Sequence, residues 1–155
     1  MTATRAGEIE RLYRDHGPKM WRALLAYSGD PEVASDALAE AFAQALRRGQ
    51  AIRSPERWVW RTAFIVARRE LGERSRPGRA ATDTGYVMED PALELVRALA
   101  RLSPRQRAAV VLHHAADYPV GEVARILGTT ASAVRVHLTR GRRRLRALLE
   151  DDDDR

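Results

Sequence analysis

The sequence has 155 residues, of which 45% are hydrophobic and 6% aromatic, and it contains no cysteine. This hydrophobic content excludes wholesale disorder, and the absence of thiols excludes disulfides, zinc sites with thiolate ligands and a cysteine nucleophile. No stretch approaches the ~18 apolar residues of a membrane span, and the sequence does not begin with the apolar segment of a signal peptide. We therefore expect a cytoplasmic protein that does not bind a membrane.

The positive charge is concentrated near the end of the sequence. The net charge is +6 at pH 7, and Lys19 is the only lysine. Residues 101–149 contain ten arginines but only two acids, Asp117 and Glu122, so this segment has a net charge of +8. A block this basic is typical of a surface that faces a polyanion, and the alternative is a solvated arginine face.

Three helices are predicted in residues 1–73. The first runs from about residue 6 to residue 27, because apolar residues recur there at three- and four-residue spacing. Proline removes a backbone donor and crowds the preceding turn, so Gly17-Pro18 is expected to bend or break this helix. Asp30-Pro31-Glu32 and Ser54-Pro55-Glu56 each combine a cap residue, a proline and an acid, which predicts the starts of two further helices.

The periodic pattern disappears between Gly72 and Asp90, where helix-breaking residues collect. This segment predicts a flexible linker, after which Asp90-Pro91 and Ser103-Pro104 restart helices. The predicted fold class is therefore all-α, with two small helical domains joined by a flexible linker. The predicted parts are residues 1–73 (first domain), 74–89 (linker), 90–149 (second domain) and 150–155 (acidic tail).

A helix-turn-helix is predicted within the second domain. Its two helices are expected near residues 120–127 and 130–149, with Gly128 in the turn and Thr130 as the cap of the second helix. When Val134 and Leu138 face inward, the opposite side of this second helix must face outward. Such a helix can enter the major groove of DNA; the alternative is an ordinary helical hairpin.

The outward side of the second helix is rich in groups that bind DNA. Arginine can donate two hydrogen bonds to one guanine, and valine and threonine can contact a thymine methyl group. Further arginines, and hydroxyl groups at the start of a helix, can bind the phosphates of the DNA backbone. No acid follows the turn until Glu150, which favours DNA binding over a plain hairpin. The predicted DNA-binding residues are Thr130, Ser132, Arg135, Val136, Thr139, Arg140, Arg142 and Arg143.

Motifs in both halves match those of a known family. The second half carries Leu102-Ser-Pro-Arg-Gln-Arg, Gly121-Glu-Val-Ala-Arg-Ile-Leu-Gly and Arg140-Gly-Arg-Arg-Arg-Leu. The first half carries Leu12-Tyr-Arg-Asp-His, Gly29-Asp-Pro-Glu and Ser54-Pro-Glu-Arg-Trp. In order and spacing these resemble the extracytoplasmic-function sigma factors of bacterial RNA polymerase. The resemblance implies a second domain that binds the −35 promoter element and a first domain that binds the polymerase and opens the −10 element.

The resemblance also implies roles for residues of the first domain. Asp36 and Glu40 would contact the clamp of the polymerase β′ subunit, next to Ala39, which stands where the family often has glutamine. The helix from Pro55 would face the −10 element, where aromatic faces could stack on flipped-out bases while arginines hold the backbone. The alternative for Trp58 and Phe64 is a place in the core. The −10 candidates are Trp58, Trp60, Arg61, Phe64 and Arg68.

The function implied by the resemblance is that of a sigma factor, which binds core RNA polymerase and directs promoter recognition and opening. Such a protein has no catalytic activity of its own, and no cofactor or metal is expected. The alternative is a helix-turn-helix regulator that does not support initiation, which stays open because Ala39, Ile65 and Arg69 depart from the family pattern. The expected partners are core polymerase, promoter DNA and, as a candidate, an anti-sigma factor. In the holoenzyme the protein would be found at the nucleoid.

Overall fold

The computed structural model describes residues 4–74 and 90–153, and these two ranges contain seven α-helices and no strand. The all-α fold class predicted from the sequence is confirmed. The predicted linker, residues 74–89, lies outside the described residues apart from Arg74. The helices are α1 (Arg5–Ser28), α2 (Pro31–Arg48), α3 (Pro55–Arg74), α4 (Asp90–Ala100), α5 (Pro104–Val110), α6 (Val120–Leu127) and α7 (Ala131–Asp153).

The first helix is not broken at Gly17-Pro18. α1 runs without interruption from Arg5 to Ser28, so a break at this point is excluded. Proline costs the helix one backbone hydrogen bond, but Met20 and Leu24 in the following turns are fully buried. Their packing holds α1 in place on the far side of Pro18, which is itself exposed.

Side-chain caps start α2 and α5 where the sequence predicts them. Asp30 accepts a hydrogen bond from the backbone N–H of Glu32 at 2.9 Å. Ser103 Oγ accepts from the backbone N–H of Gln106 at 3.2 Å, and Gln106 Oε1 accepts from the backbone N–H of Ser103 at 3.3 Å. This reciprocal pair is a capping box. The helix it starts continues beyond Val110 as a π-helical turn that reaches Ala115.

Within each half of the chain, the helices pack on one another. In the N-terminal half (residues 4–74), α1, α2 and α3 pack on one another. In the C-terminal half (residues 90–153), α7 packs against α4, α5 and α6. Gly141 allows α7 to approach α5 closely, since a Cβ atom at this position would lie 3.0 Å from Val110 Cγ2. This role of Gly141 was not predicted from the sequence.

The two halves also pack against each other. α1 lies against α4 and the π-helical turn, and α3 lies against α6. Arg107 of α5 donates a hydrogen bond to the carbonyl oxygen of Tyr27 at 3.1 Å, and its guanidinium lies 5.0 Å from the centre of the Tyr27 ring. Buried apolar side chains of both halves therefore belong to one continuous core.

Candidate nucleic-acid and polymerase interfaces

The predicted helix-turn-helix is formed by α6 and α7. Gly128 adopts φ +69° and ψ +39° in the turn, the left-handed region that glycine enters without steric cost. Thr130 Oγ1 accepts a hydrogen bond from the backbone N–H of Ala133 at 3.1 Å and so caps α7. Val134 and Leu138 are buried. The turn, the cap and the inward face predicted from the sequence are all confirmed.

One exposed face of α7 carries most of the predicted DNA-binding residues. At 3.6 residues per turn, seven of them fall within a face about 160° wide, opposite the buried residues. All seven are exposed, and Thr130 is exposed at the cap. Thr139 Oγ1 donates to the Arg135 carbonyl oxygen at 2.9 Å, so its hydroxyl hydrogen is already bonded within the helix. The seven residues are Ser132, Arg135, Val136, Thr139, Arg140, Arg142 and Arg143.

His137 lies at the inner edge of this face. It is half-buried and lines a cleft of about 210 Å³ between the two halves, together with Arg68 of α3 and Arg105 of α5. Burial, and then the positive charges of Arg105 and Arg140, lower the pKa of His137. The neutral form of this imidazole is therefore favoured beside the arginines of the exposed face.

The −10 candidates on α3 separate into two faces. Trp58, Arg61 and Arg68 lie on one side of the helix, where both arginines are exposed and Arg48 places its guanidinium 5.7 Å from the centre of the Trp58 ring. Trp60 and Phe64 lie on the opposite side, with exposures of 0% and 5%. Helical spacing explains why the candidates lie on two faces. Trp60 is two positions after Trp58, so it is rotated by about 200° around the helix axis.

Two exposed neighbours enlarge the outer face of α3. Ile65 is 56% exposed, and Arg69 is also exposed. Helical spacing places both on the same side as Trp58, Arg61 and Arg68. The two residues that depart from the family pattern are thus part of the surface that α3 presents to solvent.

Asp36 and Glu40 lie one turn apart on α2. Asp36 is exposed, whereas Glu40 is half-buried and accepts a hydrogen bond from Gln44 Nε2 at 2.8 Å. Arg47 Nη2 lies 3.8 Å from Glu40 Oε1. A shallow cavity of about 420 Å³ between α2 and α3 is lined by both acids and by Arg69. Neither carboxylate is buried, so both can meet a basic partner.

An apolar groove lies beside these acids, between α1 and α2, with a volume of about 560 Å³. Tyr13 and Leu46 line it while remaining 54% and 50% exposed. The Tyr13 ring meets Phe42 edge-on, with the ring centres 5.1 Å apart. Large apolar side chains exposed together mark surfaces that bind other proteins. Tyr13 and Leu46 were not among the sequence candidates, because helical spacing alone does not distinguish an exposed apolar side chain from a buried one.

No helix in residues 4–74 or 90–153 combines the length and the apolar character needed to span a bilayer. Within the same ranges, no three histidine, aspartate or glutamate side chains are grouped as metal ligands would be.

Comparisons with known proteins match both halves of the chain. Residues 92–145 match the family model for sigma-70 region 4. The chain is 30% identical over 150 residues to the ECF RNA polymerase sigma factor SigM of Mycobacterium tuberculosis, and this match covers 91% of the chain and 76% of SigM. It is 28% identical over 167 residues to the ECF RNA polymerase sigma factor BldN of Streptomyces coelicolor, which covers 95% of the chain and 63% of BldN.

Solved structures of sigma factors share the fold. RpoE, solved in complex with the anti-sigma factor NepR from Bartonella quintana, matches with a TM-score of 0.73 and 19% identity over 92% of this chain and 97% of RpoE. CnrH, solved in complex with the cytosolic domain of CnrY, matches with a TM-score of 0.74 and 22% identity over 93% and 88%. The sequence matches favour a sigma factor over a regulator that does not support initiation. The chain belongs to the extracytoplasmic-function sigma factors of bacterial RNA polymerase, proteins of transcription initiation.

Proposed function

We propose that the exposed face of α7 recognises the −35 promoter element in the major groove. The single observation that carries this proposal is that seven of the predicted DNA-binding residues share one exposed face of α7. Arg135 and Arg140 can each donate two hydrogen bonds to a guanine, and Val136 can contact a thymine methyl group. The groups suited to backbone phosphates are Thr130, Ser132, Thr139, Arg142 and Arg143.

The outer face of α3 is the part of the protein proposed to act on the −10 element. Trp58 supplies a partly exposed indole for base stacking, and Arg61 and Arg68 supply charge for the backbone of an opened strand. Trp60 and Phe64 are buried, so they have to be uncovered before they can reach a base.

Core polymerase is the proposed partner of α2. Asp36 and Glu40 would meet basic residues of the β′ clamp, and the apolar groove beside them would take apolar side chains of the same element. A central apolar contact with a charged rim is the usual composition of a stable protein interface. The small side chain of Ala39, which lines this groove, removes one polar contact and leaves room for such an apolar insertion.

The rest of the assignment rests on family membership. Residues 1–73 would form the polymerase- and −10-binding domain, residues 90–149 the −35-binding domain, and residues 74–89 the linker that spans the polymerase between them. Residues 150–155 would be an acidic tail, although α7 continues into it as far as Asp153. The polymerase performs the chemistry, so this chain needs no catalytic residue, cofactor or metal. We infer a cytoplasmic location, at the nucleoid within the holoenzyme, and an anti-sigma factor as a further candidate partner.

Run-off transcription with purified core polymerase tests the proposal, using the DNA upstream of the protein's own gene as template. Asp36→Ala/Glu40→Ala should abolish the transcript by weakening polymerase binding. Arg135→Ala/Arg140→Ala should abolish it by weakening promoter binding, since each bidentate arginine contact contributes about 1–3 kcal/mol.

The matched control removes two exposed arginines outside these faces, Arg22 of α1 and Arg144 of α7. Arg22→Ala/Arg144→Ala lowers the net charge by the same amount as the α7 double variant and should keep the specific transcript. A transcript that is as strong in the α7 variant as in this control would refute the −35 assignment. Retained binding of core polymerase by the α2 variant would refute the assignment of Asp36 and Glu40.

A further inference from the structure

The cleft beside His137 is lined by positively charged side chains. It has a volume of about 210 Å³, and Arg68 of α3, Arg105 of α5 and His137 of α7 reach it from three helices. No carboxylate of the described residues lines it. Burial raises the pKa of Tyr27, the other titratable group in the wall, so its hydroxyl stays protonated and uncharged. We call this cleft, as lined by Arg68, Arg105 and His137, the basic cleft.

Arg105 differs from Arg107, two positions further along α5, in having no partner within the protein. Arg107 donates hydrogen bonds to three backbone carbonyl oxygens at 3.1 to 3.3 Å, and so holds helix ends in place. Arg105 is exposed, and neither its guanidinium nor the His137 ring has an ion-pair or hydrogen-bond partner in residues 4–74 and 90–153. The N–H groups of Arg105 and His137 are therefore free to bind a ligand.

His137 lies at an edge of the exposed face of α7, next to Arg140. Residues three apart are neighbours on a helix surface, and Arg140 is one of the seven residues of that face. The major groove is about 12 Å wide, and a helix with its side chains measures about 10–12 Å across. A helix in the groove therefore turns its edges toward the two strands, whose phosphates border the groove. The basic cleft lies at one of these edges.

The charges around His137 favour an anion in the basic cleft. Arg140 faces the imidazole from its own helix, Arg105 from α5 and Arg68 from α3. The uncharged Tyr27 hydroxyl belongs to α1, and α6 and the turn after it add no charged side chain to the wall. A negative charge within about 4–6 Å favours the protonated form of an imidazole. An anion bound between Arg105 and His137 would therefore offset the repulsion between these groups and stabilise the charged ring.

We infer that the basic cleft binds a phosphate group between Arg105 and His137, and that His137 takes up a proton from solvent when the phosphate binds. Arg105 supplies a permanent charge with paired N–H donors, and the protonated imidazole supplies a further N–H donor. One source of the phosphate is the backbone of the duplex bound by α7, and this part of the inference rests on the proposed −35 role of α7. The other source is a free phosphate or a phosphorylated small molecule, which does not depend on that role.

The titration of His137 in the full chain tests this inference without any substitution. NMR follows the imidazole protons from about pH 5 to about pH 8 in three samples at one ionic strength, set with chloride. The samples are the chain alone, the chain with inorganic phosphate, and the chain with a duplex from upstream of the protein's own gene. Phosphate binding should move the titration midpoint of His137 up by about one pH unit or more, whereas that of His16 on α1 should stay unchanged.

The two ligand samples distinguish the sources of the phosphate. A higher midpoint with the duplex alone would assign the phosphate to the DNA backbone, and a higher midpoint with inorganic phosphate alone would assign it to a free ligand. A rise in both samples would show a site that accepts either. An unchanged midpoint in both would overturn the inference. The inorganic-phosphate sample contains no DNA, so its outcome is separate from the success or failure of the −35 assignment.

Fluorescence anisotropy with the labelled duplex tests the two side chains in DNA binding. Between pH 7.5 and pH 6.0 the affinity of the unsubstituted chain should rise by about three- to tenfold, because a midpoint higher by one pH unit corresponds to at most a factor of ten. His137→Gln should remove this gain, and the matched control His16→Gln should keep it. Arg105→Gln should make the plot of log binding constant against log salt concentration shallower by about 0.9, the value of one phosphate contact. Arg101→Gln, at an exposed arginine outside the cleft, should leave the slope unchanged.

Each side chain has its own refuting result. A pH-dependent gain that survives His137→Gln would overturn the proton uptake in duplex binding. Equal salt slopes for the Arg105 and Arg101 variants would overturn the contact of Arg105 with a backbone phosphate. Circular dichroism at each pH checks that the variants keep their helical content, and the NMR titration of the unsubstituted chain decides the question if His137→Gln does not.

Discussion

Replacing Gly128 with alanine adds one methyl group to the turn between α6 and α7. Gly128 has φ +69°, where a residue with a Cβ atom is less stable than glycine by roughly 1–2 kcal/mol. The added atom would also lie 3.0 Å from the Arg61 guanidinium, but that flexible side chain can move away. We therefore expect Gly128→Ala to lower the free energy of unfolding by about 1–2 kcal/mol.

Thermal unfolding followed by circular dichroism measures this change. For a chain of this size the expected loss corresponds to a Tm lowered by roughly 2–8 °C. Gly72→Ala is the matched control, because Gly72 lies within α3 and a Cβ atom there would have no neighbour within 4 Å. Alanine favours helix over glycine, so this variant should keep or raise the Tm. Equal Tm values for the two variants would refute the requirement for a left-handed residue in the turn.

Three further predictions concern stability. Leu138→Ala should lower the free energy of unfolding by about 2–5 kcal/mol, since Leu138 is buried in the core; in urea titrations, exposed Leu46→Ala should change it by less than about 0.5 kcal/mol. Ser103→Ala should cost about 1 kcal/mol by removing the capping box, and an unchanged urea midpoint would contradict this. Burial is the main cause that lowers the pKa values of His114 and His137, so below about pH 6.5 the unfolded chain binds more protons than the folded one. Stability should fall from pH 7.5 to 5.5, and a fall of the same size in His114→Gln/His137→Gln would exclude these residues as the cause.

Helix boundaries and the helix-turn-helix could be predicted because their signals are local. Asp30 and Ser103 cap helices through backbone N–H groups two or three residues away, and Gly128 provides a turn that needs no distant contact. The inward positions of Val134 and Leu138 follow from the helical period. The exposed face of α7 could be predicted for the same reason. Once the buried side of a helix is known, the helical period also determines which residues lie on its opposite side.

The absence of a break at Pro18 shows the limit of local sequence signals. Proline removes one hydrogen bond within its own helix, but the burial of Met20 and Leu24 by other helices is a tertiary contribution. That contribution outweighs the local cost, and α1 continues.

Only the tertiary structure decided how the two halves meet. Trp60 and Tyr118 are far apart in the sequence, and nothing in the pattern of either segment indicates that their rings touch. Glu122 looks like a minor exception in a basic block, yet it forms an ion pair with Arg57, 65 positions earlier. The sequence by itself determined the helices, the exposed face of α7 and the family. The contact of α3 with the C-terminal half depends on side chains brought together by packing between the halves, which no local period encodes.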